Sequence, residues 1–121
     1  MDPNNINNTP DTTNQFDPND IAQNKVMAIL AYIIFLIPLL AAKDSPYARY
    51  HTNQGLALII LSVVINVAAS ILDFVGLSFI GWIIRSVGGL IVLVFAILGI
   101  VNANGGKAKQ LPIIGGMKLL K

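Results

Sequence analysis

Hydrophobic residues along the chain fall into long runs that a short polar stretch divides. The first run covers residues 26–42, the second covers 55–72, and a third begins near residue 79. The stretch between the first two, residues 43–54, holds the only histidine and two of the three tyrosines. Runs of this length are typical of helices that cross a bilayer. The pattern predicts an all-α integral membrane protein with three transmembrane helices, at about 22–42, 46–72 and 79–103.

The first predicted helix is close to the lower length limit for a crossing. Residues 26–42 are 17 positions without a charge, which span roughly 26 Å at about 1.5 Å per residue. Starting the helix near Ile21, with Asp20 as its cap, lengthens it sufficiently. Pro38 predicts a kink or an early end of this helix, and a functional hinge is the alternative.

The second predicted helix begins inside the polar stretch. A capping Ser45 followed by Pro46 at the first helical position is a typical helix start. A helix over 46–72 is longer than one crossing, so its first turns should lie at the membrane interface as an amphipathic segment. These turns carry a candidate interfacial motif, which comprises Arg49, Tyr50, His51, Asn53 and Gln54.

Polar residues also recur inside the two later runs. One face of the second helix carries four of them at helical spacing, Ser62, Asn66, Ser70 and Asp73. In lipid such groups favour helix packing, and the lining of a polar path is the alternative. Arg85 in the third helix lies at the same membrane face as Asp73, which predicts an ion pair, with ion handling as the alternative.

The two ends of the chain differ from this apolar centre. Residues 1–24 are polar and rich in asparagine, which predicts a disordered tail outside a helical membrane domain of residues 25–121. Residues 104–121 mix four lysines with apolar side chains, which predicts a basic segment lying on the membrane surface. A candidate C-terminal motif within it comprises Leu111, Pro112 and Gly115.

Composition and charge narrow the partners. The chain is 55% hydrophobic and 12% charged, and a soluble domain of 121 residues could not bury that much apolar surface. A net charge of +2 without a basic face argues against nucleic acid. The expected partners are therefore the lipid bilayer and either further copies of the chain or a larger membrane complex.

The distribution of basic residues predicts an orientation. With three crossings, Lys25 and Arg85 lie on one side and the other six basic residues on the opposite side. Because cytoplasmic segments are enriched in lysine and arginine, this predicts an N-terminus outside the cell membrane and a C-terminus in the cytoplasm.

Few residues could carry a reaction. The chain has no cysteine, which excludes a disulfide framework and thiolate metal sites. The membrane domain offers His51, Asp44 and Asp73, whereas acid–base catalysis needs a positioned pair and a zinc site needs further ligands. We therefore expect no enzyme activity, no catalytic residue, no metal site and no cofactor.

Several short motifs together resemble those of a known family. They are IPLLAAKDSP at 37–46, ARYHTNQG at 48–55, IGWII at 80–84, LGIVNA at 98–103 and LPIIG at 111–115. Over about residues 25–117 the chain resembles small prokaryotic membrane proteins grouped with the Tic channel subunit of the chloroplast inner-envelope protein import translocon. The resemblance implies a helical integral protein of the prokaryotic plasma membrane, which in some members is described as an import component, and it supplies no catalytic residues. Chloroplast members look like four-span proteins, one span more than predicted here.

Three functions follow as hypotheses. The first is a structural or accessory subunit of a membrane complex, packed through the polar stripe and a small-residue face at Ser86 and Gly89. The second is an oligomeric import or translocation component resembling the Tic channel subunit, with the intramembrane polar residues along a path. The third and least favoured is a membrane enzyme that uses His51. In each case we expect the interfacial motif to meet residues 107–121 or the turn at 111–115.

Overall fold

The computed structural model describes residues 9–34, 36–116 and 118–120. A 3₁₀ turn at Thr13–Gln15 precedes four helices, which are α1 (Pro18–Leu30), α2 (Leu36–Ala41), α3 (Pro46–Phe74) and α4 (Ser78–Asn104). Apart from one isolated bridge between Asp11 and Lys109, these described residues contain no β structure. The predicted all-α fold is confirmed.

α3 and α4 form a long antiparallel hairpin. The Ser45 hydroxyl accepts a hydrogen bond from the Ala48 amide over 3.1 Å, and Pro46 occupies the first turn of α3, as the sequence predicts. The two helices contain 29 and 27 residues, and each is long and apolar enough to cross a membrane. The short turn between them contains Gly76 at a φ of 87°, a conformation that favours glycine. Two of the three predicted crossings correspond to these helices.

Large apolar side chains cover the outside of this hairpin. Phe74 is 92% exposed and Phe79 is 73% exposed. Exposure of this extent is unfavourable in water and favourable in lipid. The outer faces of α3 and α4 are therefore the surfaces suited to contact a bilayer.

α1 and α2 form a bent pair that enters the molecule and returns to the same end. Near the start of α1, the Asp20 carboxylate accepts hydrogen bonds from the Ser45 hydroxyl and the Tyr47 amide over 2.6 and 2.9 Å. After α2, the Ser45 amide donates to the Ala42 carbonyl over 3.0 Å. Both ends of the pair therefore lie at the N-terminal end of α3.

The bend of this pair reaches only part of the way along α3. The Ala31 carbonyl lies against Gly55, where an added Cβ would come within 1.9 Å of the carbonyl oxygen. Gly55 is roughly 14 Å along the helix from Pro46, less than half of a hydrocarbon core of about 30 Å. Three crossings are therefore not confirmed, because the predicted helix at 22–42 is divided and turns back. Its apolar run is short, and Pro38 lacks the amide that would continue a helix out of α1.

The N-terminal and C-terminal segments are hydrogen bonded to each other. The Thr12 amide donates to the Ala108 carbonyl over 3.0 Å, and the Gln110 amide donates to the Pro10 carbonyl over 3.2 Å. Segments joined in this way lie on the same side of any membrane that the hairpin crosses. The predicted placement of the two ends on opposite sides is therefore wrong, because it assumed an odd number of crossings.

The boundary predicted at residue 24 falls within α1. This helix begins at Pro18 and is capped by Asp17, which accepts from the Asn19 amide over 2.9 Å, rather than by Asp20. From Thr9 onward the backbone pairing with the C-terminal segment offsets part of the ordering cost of a polar segment. Residues 1–8 of the predicted tail lie outside the described residues, and the division into two domains stays a prediction.

After α4 the chain folds back along α3. Gly106, at a φ of 71°, follows the end of the helix at Asn104. Residues 107–116 then return beside α3, where Leu111 is buried and not spread on a surface. We call this end of the molecule the head, which consists of the described residues within 9–58 and 95–120.

Candidate functional site

His51 lies at the centre of the head and is fully buried. Its Nε2 is 2.8 Å from the Lys107 carbonyl oxygen, and its Nδ1 is 2.5 Å from the Tyr32 hydroxyl. Because a carbonyl can only accept, Nε2 carries the proton and Nδ1 accepts from Tyr32. Both ring nitrogens are therefore engaged within the protein.

Three tyrosine rings surround this histidine. The rings of Tyr32, Tyr47 and Tyr50 meet it edge-on, with centroids 5.4, 4.9 and 5.2 Å away. Edge-to-face pairs of this kind stabilise a packed core. The Tyr47 hydroxyl also donates to the Ala103 carbonyl over 3.1 Å, which joins the start of α3 to the end of α4. The cluster therefore holds the head together.

Gln54 joins the interfacial motif to the C-terminal motif. Its Nε2 donates to the Gly115 carbonyl and its Oε1 accepts from the Leu111 amide, each over 2.8 Å. Asn53 Oδ1 accepts from the amides of residues 119 and 120 over 2.6 and 3.0 Å. The two motifs are in direct contact, which the sequence predicted.

The loop that Gln54 holds presents an apolar tip. It contains Pro112, and it projects Ile113, which is 97% exposed at a φ of 67°. A β-branched residue is strained in this left-handed region. Ile113 and Ile114 border an apolar groove of about 510 Å³ between α3 and α4. The tip is therefore continuous with the surface of the hairpin that suits lipid.

The two remaining residues of the interfacial motif, Arg49 and Tyr50, line a second cavity together with Asn53 and Gln54. This cavity has a volume of about 460 Å³ and lies beside the first turns of α3. Tyr50 contributes to both the histidine cluster and the cavity wall. The motif predicted as one surface thus has a buried side, at His51 and Gln54, and an open side at Arg49.

The polar residues of the hairpin pair with one another or with their own helix. Arg85 lies 2.9 Å from the Asp73 carboxylate and also donates to the Ser70 hydroxyl over 3.1 Å, so the predicted ion pair is confirmed. Asn66 donates to the Ser62 carbonyl of its own helix over 2.8 Å. These contacts are typical of helix packing.

Two residues of the head were not identified as site residues from the sequence. Asp20 docks α1 on α3 through Ser45 and Tyr47, partners 25 and 27 positions away, and no local pattern marks such distant contacts. Tyr32 was weakly indicated by the sequence, because a tyrosine hydroxyl within an apolar run needs a buried hydrogen-bond partner. That partner is His51.

Asp11 orders the N-terminal segment. Its carboxylate accepts from the Thr13 hydroxyl and from the Thr13 amide, the latter over 2.9 Å. These hydrogen bonds, aided by the nearby charges of Lys109 and Lys107, hold the pKa of Asp11 below its usual value. The contribution of Asp11 to the stability of the fold is therefore present above the unfolded pKa of 3.8 and is lost as the pH falls through the lower folded pKa.

The titratable groups at the centre of the head are held in contacts within the chain. Within the part of the chain that the structure describes, no three His, Asp or Glu side chains gather closely enough to hold a metal ion. The only histidine is enclosed by its own partners.

Comparison with known proteins places these features in a family. A family model described as the magnetosome magnetite crystal formation protein family matches residues 23–119. The chain is 32% identical to magnetosome protein MmsF of Paramagnetospirillum magneticum over 95 aligned residues. The aligned stretch covers 77% of this chain and 83% of that protein. No solved structure matches the chain.

These matches overturn the resemblance to the Tic channel group. The family model covers the same stretch on which that resemblance rested, including the motifs at 48–55 and 111–115. Those motifs are explained by the packing of the head, because His51, Gln54, Leu111 and Gly115 contact one another or their neighbours there. The assignment to an import translocon was therefore wrong.

Proposed function

The chain belongs to the magnetosome magnetite crystal formation protein family, and from this premise we propose that it is a small integral protein of the magnetosome membrane that takes part in magnetite crystal formation. Within that process we assign it a structural or accessory role in a membrane complex. The hairpin of α3 and α4 would anchor it, and the head would be the part that contacts other components.

One observation carries this proposal. The family match over residues 23–119 spans both membrane-length helices and most of the head, including the hydrogen bonds that Gln54 makes to 111 and 115. The matched stretch therefore contains the hairpin and the part of the head in which the interfacial and C-terminal motifs meet. A function shared by the family is expected to depend on this stretch as a whole.

A non-enzymatic role is part of the proposal. His51 has both nitrogens engaged inside the protein, and Asp73 is paired with Arg85. Both arrangements stabilise structure and leave neither group poised toward a bound substrate. The apolar faces of the hairpin leave room for further copies of the chain or for other membrane helices, so a homo-oligomer or a larger complex belongs to the same proposal.

The charge of the head supports an orientation. The described head carries six basic residues, Lys25, Lys43, Arg49, Lys107, Lys109 and Lys118, whereas Arg85 lies near the opposite end of the hairpin. The positive-inside rule then favours a cytoplasmic head. Of the residues that the structure describes, a crystal enclosed by the membrane would then meet those of the turn between α3 and α4. We propose that the chain affects the crystal through the membrane and its partners.

Replacement in a magnetic bacterium tests the proposal. A fluorescently tagged copy of this chain would be expressed in Paramagnetospirillum magneticum from which MmsF has been removed. We expect the tag in the magnetosome fraction, and crystals measured by electron microscopy that resemble those of cells with MmsF more than those of cells with neither protein. Uniform labelling of the cell membrane, together with crystals unchanged from cells with neither protein, would overturn it.

A further inference from the structure

The cavity beside the first turns of α3 combines basic and apolar walls. Its volume of about 460 Å³ is bordered by Lys43, Arg49 and Lys118, which come from three separate parts of the chain. Among the residues that the structure describes, Asp44 is the one acidic residue that lines it. The rings of Phe16 and Tyr50 and the side chain of Leu120 supply apolar surface. The cavity is thus positively charged and amphipathic, which suits an anionic ligand that also carries an apolar part.

The position of the cavity limits the kind of ligand. Arg49 and Asn53 lie in the first two turns of α3, within roughly 11 Å of Pro46 along the helix axis. The continuous apolar run of the same helix begins at residue 55. The cavity therefore lies at the level where the hairpin leaves the hydrocarbon layer. Phospholipid headgroups occupy this level of a bilayer.

The helix N-terminus does not account for the positive charge of the cavity. The Tyr47 amide donates to Asp20 and the Ala48 amide donates to Ser45, so two of the first amides of α3 already have acceptors. A ligand in the cavity would instead meet the lysine and arginine side chains. Arginine forms paired hydrogen bonds with phosphate oxygens, and lysine attracts phosphate as a point charge.

From the charge, the walls and the level of this cavity, we propose that it binds the phosphate headgroup of an anionic phospholipid. Arg49 and Lys118 hold the phosphate, Lys43 adds a third positive charge, and the first acyl carbons lie against Tyr50 and Leu120. The site does not depend on the role proposed in crystal formation, because it requires only an anionic bilayer. Binding there would fasten residues 118–120 and the 43–46 turn to the membrane.

Lipid retention by the purified full chain tests this site. The detergent-solubilised protein would be titrated with short-chain phosphatidylglycerol, with phosphatidylcholine of the same chain length, and with glycerol phosphate, and bound molecules counted by native mass spectrometry. We expect binding of phosphatidylglycerol at least about 10-fold tighter than of phosphatidylcholine. Equal binding of the two lipids would overturn the proposal. Equal binding of glycerol phosphate would also overturn it, since that result identifies a site for free phosphate.

Charge variants locate the binding within the protein. The pair K43Q and K118Q removes two exposed lysines of the cavity, and we expect about 30-fold weaker binding of phosphatidylglycerol. The matched pair K25Q and K109Q removes the same charge from residues that do not line the cavity, and it should change binding less than about 2-fold. Equal losses in both pairs would show diffuse attraction to the head and would contradict a defined site. Circular dichroism of each variant verifies the fold, and R49Q provides a second, independent loss at the same site.

Discussion

Gln54 is the single side chain on which the C-terminal loop depends most. It is 2% exposed and supplies one donor and one acceptor to backbone groups of 111 and 115. The loop has no regular secondary structure of its own, so these hydrogen bonds replace those that a helix or strand would provide. Loss of the Gln54 amide leaves a buried N–H and a buried carbonyl without partners.

We therefore expect Gln54→Leu to destabilise the head strongly. Two unpaired buried groups at about 1–3 kcal/mol each predict a loss of about 2–6 kcal/mol in the free energy of unfolding. Asn66→Leu on the same helix is the control, because the Asn66 amide is exposed and bonds only to its own helix. Chemical unfolding in detergent micelles would measure both changes. Similar losses for the two variants would refute the role assigned to Gln54.

A second residue-scale prediction concerns the space around Tyr32. A Cβ added at Gly99 would lie 2.2 Å from the ring of Tyr32, which is held by His51, whereas one added at Gly89 meets nothing within 4 Å. Gly99→Ala should cost about 1–3 kcal/mol of unfolding free energy. Gly89→Ala should be neutral or stabilising, because alanine favours helix. A thermal unfolding series compares them, and a tolerated Gly99→Ala would mean that Tyr32 is not packed as described.

Residues close in sequence were easier to predict than distant partners. The start of α3 at Ser45 and Pro46 could be predicted from the sequence, because a helix cap and its helix are adjacent in the chain. The pairing of Asp73 with Arg85 could also be predicted, because both residues were expected at the same membrane face. The hydrogen bonds of Asp20 to the start of α3 and of Tyr32 to His51 could not be predicted from the sequence. Several other polar residues were equally possible partners, and the tertiary structure determines which ones meet.

At the scale of elements, the bent pair of α1 and α2 determines how the head is closed. The pair packs against both α3 and α4 near their head ends and brings Ala31 and Tyr32 to Gly55 and Gly99. Hydropathy alone could not reveal this pair. An apolar run of 17 residues fits one short crossing or two shorter helices equally well, and tertiary contacts decide between them.

Asp20 hydrogen bonds the start of α1 to the start of α3, which gives an element-scale prediction. Asp20→Ala removes the acceptor of the Ser45 hydroxyl and of the Tyr47 amide. We expect hydrogen exchange of the Tyr47 amide and of α1 to become at least about 10-fold faster. The control Asp44→Ala removes an exposed carboxylate nearby and should leave this protection unchanged. Equal protection in both variants would show that α1 is held by other contacts.

At the scale of the whole molecule, the described residues contain two helices long and apolar enough to cross a membrane, where the sequence predicted three crossings. The long runs of α3 and α4 were predicted correctly, because apolar length is a direct requirement of the bilayer. The side of the membrane on which the N-terminal segment lies was not predicted correctly. One helix wrongly taken as a crossing moves every residue before it to the opposite side. With two crossings, the basic residues of the head and the N-terminal segment share one face, and that face is where lipid headgroups and partner proteins would bind.

The most direct test is the accessibility of single cysteines, because the chain has none of its own. Cysteine would replace Asn14 in the N-terminal segment, Gly116 in the C-terminal loop, or Val75 in the turn between α3 and α4. A membrane-impermeant maleimide would then be added to sealed vesicles of either orientation. We predict that positions 14 and 116 are labelled from the same side and position 75 from the opposite side. Labelling of positions 14 and 116 from opposite sides would restore an odd number of crossings and contradict the two-crossing head and hairpin.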